Sequence, residues 1–282
     1  MLWLQRLSSP IARGGGIIEM NTASRNLLLY QNVRMPDGRQ IPESVQLNRA
    51  TGKIVATTGR RYDAETHSQL FNAAALNGNE LYMIGQDIAA SGRQRMLLSN
   101  LTADIGGQKW LQLGHADTTA NGSFGEHGVV IFDQSSILSA YTGHPTANNG
   151  PAATQIFLQK TTPLGVVAWV RRFEISLLGE LDLLAVPGGY VLMGKTSATQ
   201  YILLKTDLNG NLLTSKQVDF GATNGGNVLM EKTQHRIALL GEYLFFTLHN
   251  SRSDNALLLK TNLNLDVQGA CSGLAPLTIA QG

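Results

Sequence analysis

A short hairpin recurs along this chain, and a chain that repeats a hairpin has few ways to fold. Its clearest copy runs from Tyr201 to Ser215, where Tyr201-Ile202-Leu203-Leu204 leads through Asp207-Leu208-Asn209-Gly210 into Leu212-Leu213. Asp and Asn tolerate turn conformations and glycine supplies positive φ at little cost, so the chain reverses there. Further copies align on the turn. Ile156–Thr161 leads through Thr162-Pro163-Leu164-Gly165 to Trp169, and Met96-Leu97-Leu98 leads through a longer turn with Gly106 to Trp110. Val45–Asn48 leads through Gly52 into Lys53-Ile54-Val55, and Leu257–Asn264 is the last copy, without a glycine at the matching place. The copies recur roughly every 45 to 60 residues, the period of a propeller blade or a solenoid unit, and short strand-rich units favour the propeller.

The chain resolves in order into units of four strands. The strands expected are 16–20, 26–32, 44–48 and 53–57, then 71–76, 80–85, 93–99 and 108–113, then 128–132, 136–142, 154–160 and 166–172. A fourth set follows at 181–186, 190–195, 200–206 and 211–217, and a fifth at 235–240, 243–248 and 255–261. Runs such as Leu183–Val186 and Leu81–Ile84 are apolar on both faces, as strands sandwiched between sheets are. The fifth set lacks a fourth strand, and residues 2–7 are an orphan that could supply it. The expected fold is therefore all-β, a β-propeller of four-stranded antiparallel blades, five of them, closed by the N-terminal strand, which removes exposed edges. The propeller domain spans 1–268, with units near 9–57, 58–113, 114–172, 173–217 and 218–268, and 269–282 reads as a C-terminal tail or linker.

Composition narrows the partners. The 282 residues are 43% hydrophobic but only 15% charged, and 30 glycines with many Asn, Thr, Ser and Gln supply the polarity, a balance expected of extracellular β proteins. A formal charge of +2 gives no general reason to expect nucleic acid or an anionic membrane. The single cysteine, Cys271, excludes an internal disulfide and a four-cysteine zinc site. No apolar run reaches about 18 residues, so no membrane insertion is expected.

The motif Lys205-Thr206-Asp207-Leu208-Asn209-Gly210 followed by an apolar pair resembles the blade repeat of propellers in large secreted bacterial surface proteins, of the kind that carry a C-terminal sorting signal. In that family a tryptophan often follows the turn glycine by four positions, as Trp169 follows Gly165 and Trp110 follows Gly106. Here Thr214 and Ala56 stand in its place in two copies. The resemblance implies a module of a longer chain at the cell surface or outside the cell, and it transfers no catalytic residue.

The connections between blades, and between the second and third strands within a blade, are the long ones. They share one face, where binding groups belong. All six histidines, His67, His115, His127, His144, His235 and His249, fall in or beside them. With Glu126 and Asp182, the residues His67, His115, His127 and His144 form the expected binding set. No close pair such as HxH or HxxxH occurs, so solvated loop histidines are the plainer reading and no metal or other cofactor is expected. Trp3, Trp110 and Trp169 start outer strands, where packing is favoured over stacking on sugars. The function expected is a non-catalytic interaction or adhesion module that meets a protein or glycan on the long-loop face. One alternative is a propeller hydrolase or lyase acting on polysaccharide through Glu126, Asp182 and nearby histidines, which would need carboxylates converging at the mouth of the channel. A purely structural spacer or filament subunit is another.

Overall fold

A computed structural model describes residues 12–19, 26–55, 60–61, 68–78, 80–89, 94–102, 108–113, 123–144, 155–177, 181–197, 200–219, 237–250, 255–267 and 274–281. These form strands and turns, with no helix among the described residues. The first sheet has the order β1 (Ala12–Glu19), β2 (Leu27–Arg34), β3 (Gln40–Leu47) and β4 (Arg60–Arg61). The second is β5 (Ser68–Asn77), β6 (Glu80–Ile88), β7 (Gln94–Thr102) and β8 (Gln108–Leu113). The third is β9 (Ser123–Asp133), β10 (Ser136–His144), β11 (Gln155–Thr161) and β12 (Val167–Phe173). The fourth is β13 (Leu181–Val186), β14 (Gly189–Lys195), β15 (Gln200–Asp207) and β16 (Leu212–Asp219), extended by a fifth strand, β20 (Leu274–Pro276). The last sheet holds β17 (Ile237–Leu240), β18 (Tyr243–Asn250) and β19 (Asn255–Asn262).

This is the all-β, four-stranded antiparallel blade pattern that the repeat predicts. By internal packing the chain forms two units, Met1–Ile137 with Thr162–Val166, and Leu138–Thr161 with Val167–Gly282. In the first unit β5 lies against β1, β2 and β3, and β9 lies against β5, β6 and β7. In the second unit β17 lies against β13. Within each unit the first strands of successive sheets are thus neighbours, which makes them the innermost strands of that unit. Burial follows from that stacking. Leu81, Tyr82, Met83 and Ile84 of β6 are all buried although their side chains alternate in direction, because a sheet covers each face. In the second unit Val191, Met193, Tyr201, Leu203 and Val218 of the fourth sheet meet Ile237, Leu244, Phe246 and Leu259 of the last in one core.

The repeated turn has one chemistry in four places. Asp207 Oδ1 accepts from the amides of Asn209 and Asn211, and Asn262 Oδ1 accepts from those of Asn264 and Asp266, each at 2.8–2.9 Å. Asn48 Oδ1 does the same for Ala50 and Thr51, and the Thr162 hydroxyl accepts from Val166. Gly52, Gly165 and Gly210 take the positive φ that follows, at 68°, 84° and 78°. The last copy has no glycine, and Leu265 takes that place at φ 63° with its side chain fully buried.

Several expectations need correction. Of the expected strand 53–57, the described residues Lys53, Ile54 and Val55 do not form a continuous strand. Ile54 makes an isolated bridge to Leu47 and Val55 donates to the Gln46 carbonyl at 3.0 Å, with β4 following at Arg60–Arg61. Lys53 and Ile54 are exposed, so turn hydrogen bonding holds this stretch where burial does not. Within the expected tail or linker 269–282, Leu274, Ala275 and Pro276 pair with Val218, Gln217 and Lys216. Trp169, expected to pack at the start of its outer strand, is half-buried there, its ring 6.3 Å from that of Tyr190. Residues 2–7 lie outside the described residues, as do 269–273.

Candidate active site

Three innermost strands of the first unit are kinked at corresponding depth. In β1 the register shifts between Arg13 and Gly15, leaving Gly14 extra, and in β5 it shifts between Phe71 and Ala73, leaving Asn72 extra. In β9 the backbone of His127 turns left-handed, with φ 52°. Gly14, Asn72 and His127 each stand five or six residues before the last residue of their strand. A bulge re-aims side chains and is common beside active sites, and a non-glycine residue with positive φ inside a strand persists only where its surroundings hold it there.

Neighbouring groups fix the kinks. A bulge frees a backbone amide and a carbonyl from the ladder, and both at Phe71 are satisfied by one side chain of the preceding sheet. Phe71 N donates to Asn32 Oδ1 at 3.0 Å, and Asn32 Nδ2 donates to the Phe71 carbonyl at 3.1 Å. On the other side of β5, a Cβ on Gly85 would lie 1.7 Å from the Leu70 carbonyl oxygen, so only glycine fits where β6 meets the bulge. In β9, Gly128 follows His127, and a Cβ there would lie 3.1 Å from Ile84 of β6. The strand presses against its neighbour while His127 stays half-buried. Asn72, Ala73, Ala74 and Ala75 of β5 are also half-buried, as expected of an innermost strand with small side chains.

Polar groups cluster at the ends of β6 and β7 next to this level. Asp87, almost wholly buried, accepts from Arg95 Nη2 at 2.6 Å, and Gln86 Nε2 donates to Gln94 Oε1 at 2.8 Å. At the opposite end Glu80 accepts from the Tyr82 hydroxyl and from Asn100 Nδ2. Burial, and then the Glu80 carboxylate, push the Tyr82 phenol well above its usual range, so it acts there as a hydrogen-bond donor and not as an acid.

The expected site residues fall unevenly on this geometry. Glu126 and His127 are consecutive on β9 at its kink, and His144 is the last residue of β10. These two histidines and His249 sit in strands longer than their apolar content implied, since pairing with a neighbour carries a strand past its apolar core. His67, His115 and His235 lie outside the described residues. Asp182 has another role. Its Oδ1 accepts from the Leu183 amide at 2.8 Å and its Oδ2 from Ile237 at 2.9 Å, so this buried carboxylate ties β13 to β17. Asn32 and Asn72 escaped the sequence reading because an Asn in a strand looks like solvated polarity. No group of three or more His, Cys, Asp or Glu placed to hold a metal occurs among the described residues.

No known protein family matches the sequence, and no curated protein matches it. Solved structures do. An α-L-arabinanase from Penicillium chrysogenum, solved with arabinobiose, superposes with a TM-score of 0.55 at 12% identity, over 89% of this chain and 77% of that one. Looser likenesses are a quinohemoprotein alcohol dehydrogenase from Comamonas testosteroni (TM-score 0.45, 13% identity, 82% of this chain and 43% of that one) and a thermostable family-43 glycoside hydrolase (TM-score 0.39, 13% identity, 95% and 94%). At such identity the arabinanase match establishes the fold, an all-β propeller. That propeller belongs to an enzyme, which counts against the expectation of a non-catalytic interaction or adhesion module, and that expectation is not carried further.

Proposed function

We propose that the chain is a propeller enzyme that cleaves polysaccharide by hydrolysis or elimination, at a site on the kinked innermost strands β1, β5 and β9. The observation that carries this reading is the left-handed backbone of His127, beside Glu126, on an innermost strand. Its support from outside the chain is the propeller of an arabinanase. Cleavage of a glycosidic bond needs a group that protonates the leaving oxygen and a second that activates water, acts as nucleophile, or withdraws a ring proton. Glu126 and His127 are the residue types for these roles. Asp182, held by two backbone amides, is left to the scaffold. The low charge and the Asn-, Thr- and Gly-rich composition support action outside the cell or at its surface, and the Lys205–Gly210 motif supports an origin in a bacterial surface protein.

A polysaccharide panel that includes arabinan tests this. Reducing ends report any cleavage, and ultraviolet absorbance of an unsaturated product separates elimination from hydrolysis. Glu126→Gln and His127→Gly should each lower turnover by about a hundredfold or more while the β-sheet spectrum is kept, the scale on which a general acid or base contributes. His127→Gly retains the kink and removes only the imidazole. No cleavage of any polymer by the parent protein, or undiminished cleavage by both variants, would rule the reading out.

A further inference from the structure

The outer edge of the fourth sheet is filled by the chain's own C-terminus, and by very little of it. Three residues, Leu274–Pro276, pair with β16. Beyond them Leu277 N donates to the Ser215 carbonyl at 3.3 Å, and the Ser215 hydroxyl donates to the Leu277 carbonyl. The strap then crosses to β12, where Gln281 bridges Phe173 and Glu174 N donates to the Ala280 carbonyl at 3.1 Å. One side chain adds to the hold on its end. Gln281 Oε1 accepts from Leu212 N at 2.9 Å while its Nε2 donates to the Gly210 carbonyl at 3.0 Å. Pro276, Thr278, Ala280 and Gln281 are exposed, and Leu277 and Ile279 are only half-buried. From Pro276 to Gln281 hydrogen bonds therefore carry most of the attachment, with little apolar burial behind them, and such elements open locally at low cost.

We propose that the outer edge of β16 is a strand-accepting surface, and that its partner is the C-terminal strand of a second copy of this chain. With the strap off it, the edge of β16, Leu212–Asp219, offers backbone amides and carbonyls that template the addition of a strand. The sequence this edge takes is already on it, so the same segment from a neighbouring molecule meets identical register and identical side-chain partners. Exchange of an identical element is how one chain becomes a swapped dimer or an open array. The strap of each molecule thus either seals its own edge or joins two molecules.

A fluorescent peptide of residues 270–282 is the probe, added to the full-length protein, to full-length Gln281→Ala, and to a chain ending at Gly269. Full-length protein should bind it weakly. Gln281→Ala, having lost the paired hydrogen bonds to Gly210 and Leu212, should bind it about tenfold more tightly. The shortened chain should bind it most tightly and, having no strand of its own to donate, should run at monomer mass in light scattering. A scrambled peptide should bind none of them. Failure of the peptide to bind both Gln281→Ala and a shortened chain that keeps its β-sheet spectrum would overturn the proposal. Should the shortened chain lose that spectrum, the Gln281→Ala comparison decides alone.

Discussion

Leu265 occupies in its turn the place that Gly210 occupies in the turn of the preceding sheet. Both residues donate their amide to the carbonyl of the residue that anchors the turn, Asn262 and Asp207 respectively, and both have positive φ. Left-handed backbone costs a branched residue about 1–3 kcal/mol. Complete burial of a leucine side chain is worth about 1.5–3 kcal/mol, which offsets it. Leu265 stays there because its side chain joins the core that packs the last two sheets together.

This predicts an unusual order of stabilities. Leu265→Ala loses the burial and keeps most of the strain, so it should cost about 2–5 kcal/mol. Leu265→Gly loses the same burial but releases the strain, so it should cost about 1 kcal/mol less than Leu265→Ala. Denaturant titrations of the two variants compare them directly. A glycine variant less stable than the alanine variant would show that the turn is not strained.

Gly210 is constrained from outside its turn as well as within it. A Cβ there would lie 2.7 Å from Trp169 Cζ3 and 2.8 Å from Arg171 Cγ, at φ 78°. Gly210→Ala should therefore destabilise by about 1–3 kcal/mol. Part of that cost should vanish in the Trp169→Ala background, where the indole no longer crowds the turn. Equal costs in both backgrounds would place the whole effect in the backbone.

Asn32 offers a sharper test of the kink in β5. Asn32→Leu leaves the buried amide and carbonyl of Phe71 without their partner, which should cost about 1–3 kcal/mol. The Phe71 amide should then exchange hydrogen faster than its neighbours in β5. If the site stands on this kink, cleavage should fall by more than the loss of folded protein accounts for. Unchanged exchange at Phe71 would mean that the bulge does not depend on this carboxamide.

How much of this was legible in the sequence depends on the scale of the signal. Tyr201–Leu204 and Leu81–Ile84 announce buried strands through four consecutive apolar residues, and Asp207 to Gly210 announces a turn through residue types that few other structures want. Repetition then multiplies a weak local signal into a fold. The kinks carry no such signature. Nothing in Phe71-Asn72-Ala73 marks a bulge, because its cause is Asn32, which comes 39 residues earlier. By sequence His127 reads as a loop histidine, yet its left-handed backbone stands where β9 approaches Ile84. The C-terminal strap was misread for a like reason. Ala275-Pro276-Leu277 has the composition of a linker and becomes a strand only because the edge of β16 is there to receive it.

The turn at Asp207 also carries a pH dependence whose sign can be worked out. Burial alone would raise this carboxyl, but hydrogen bonds from the Asn211 side chain and from the Asn211 and Asn209 amides outweigh it, and Arg171 adds to them, so the pKa lies below the ordinary value. A carboxyl whose folded pKa is depressed stabilises the fold above its unfolded pKa. That contribution is lost as pH falls through the folded value, so the loss falls below about pH 4, the range of an unperturbed aspartate. Asn262 and Asn48 do the same work in their turns without a charge, so Asp207→Asn should fold. The variant should lose stability less steeply than the parent protein as pH falls below 4, and the two should converge in acid. Parallel stability curves for the two proteins through that range would show that Asp207 does not hold its turn as a carboxylate.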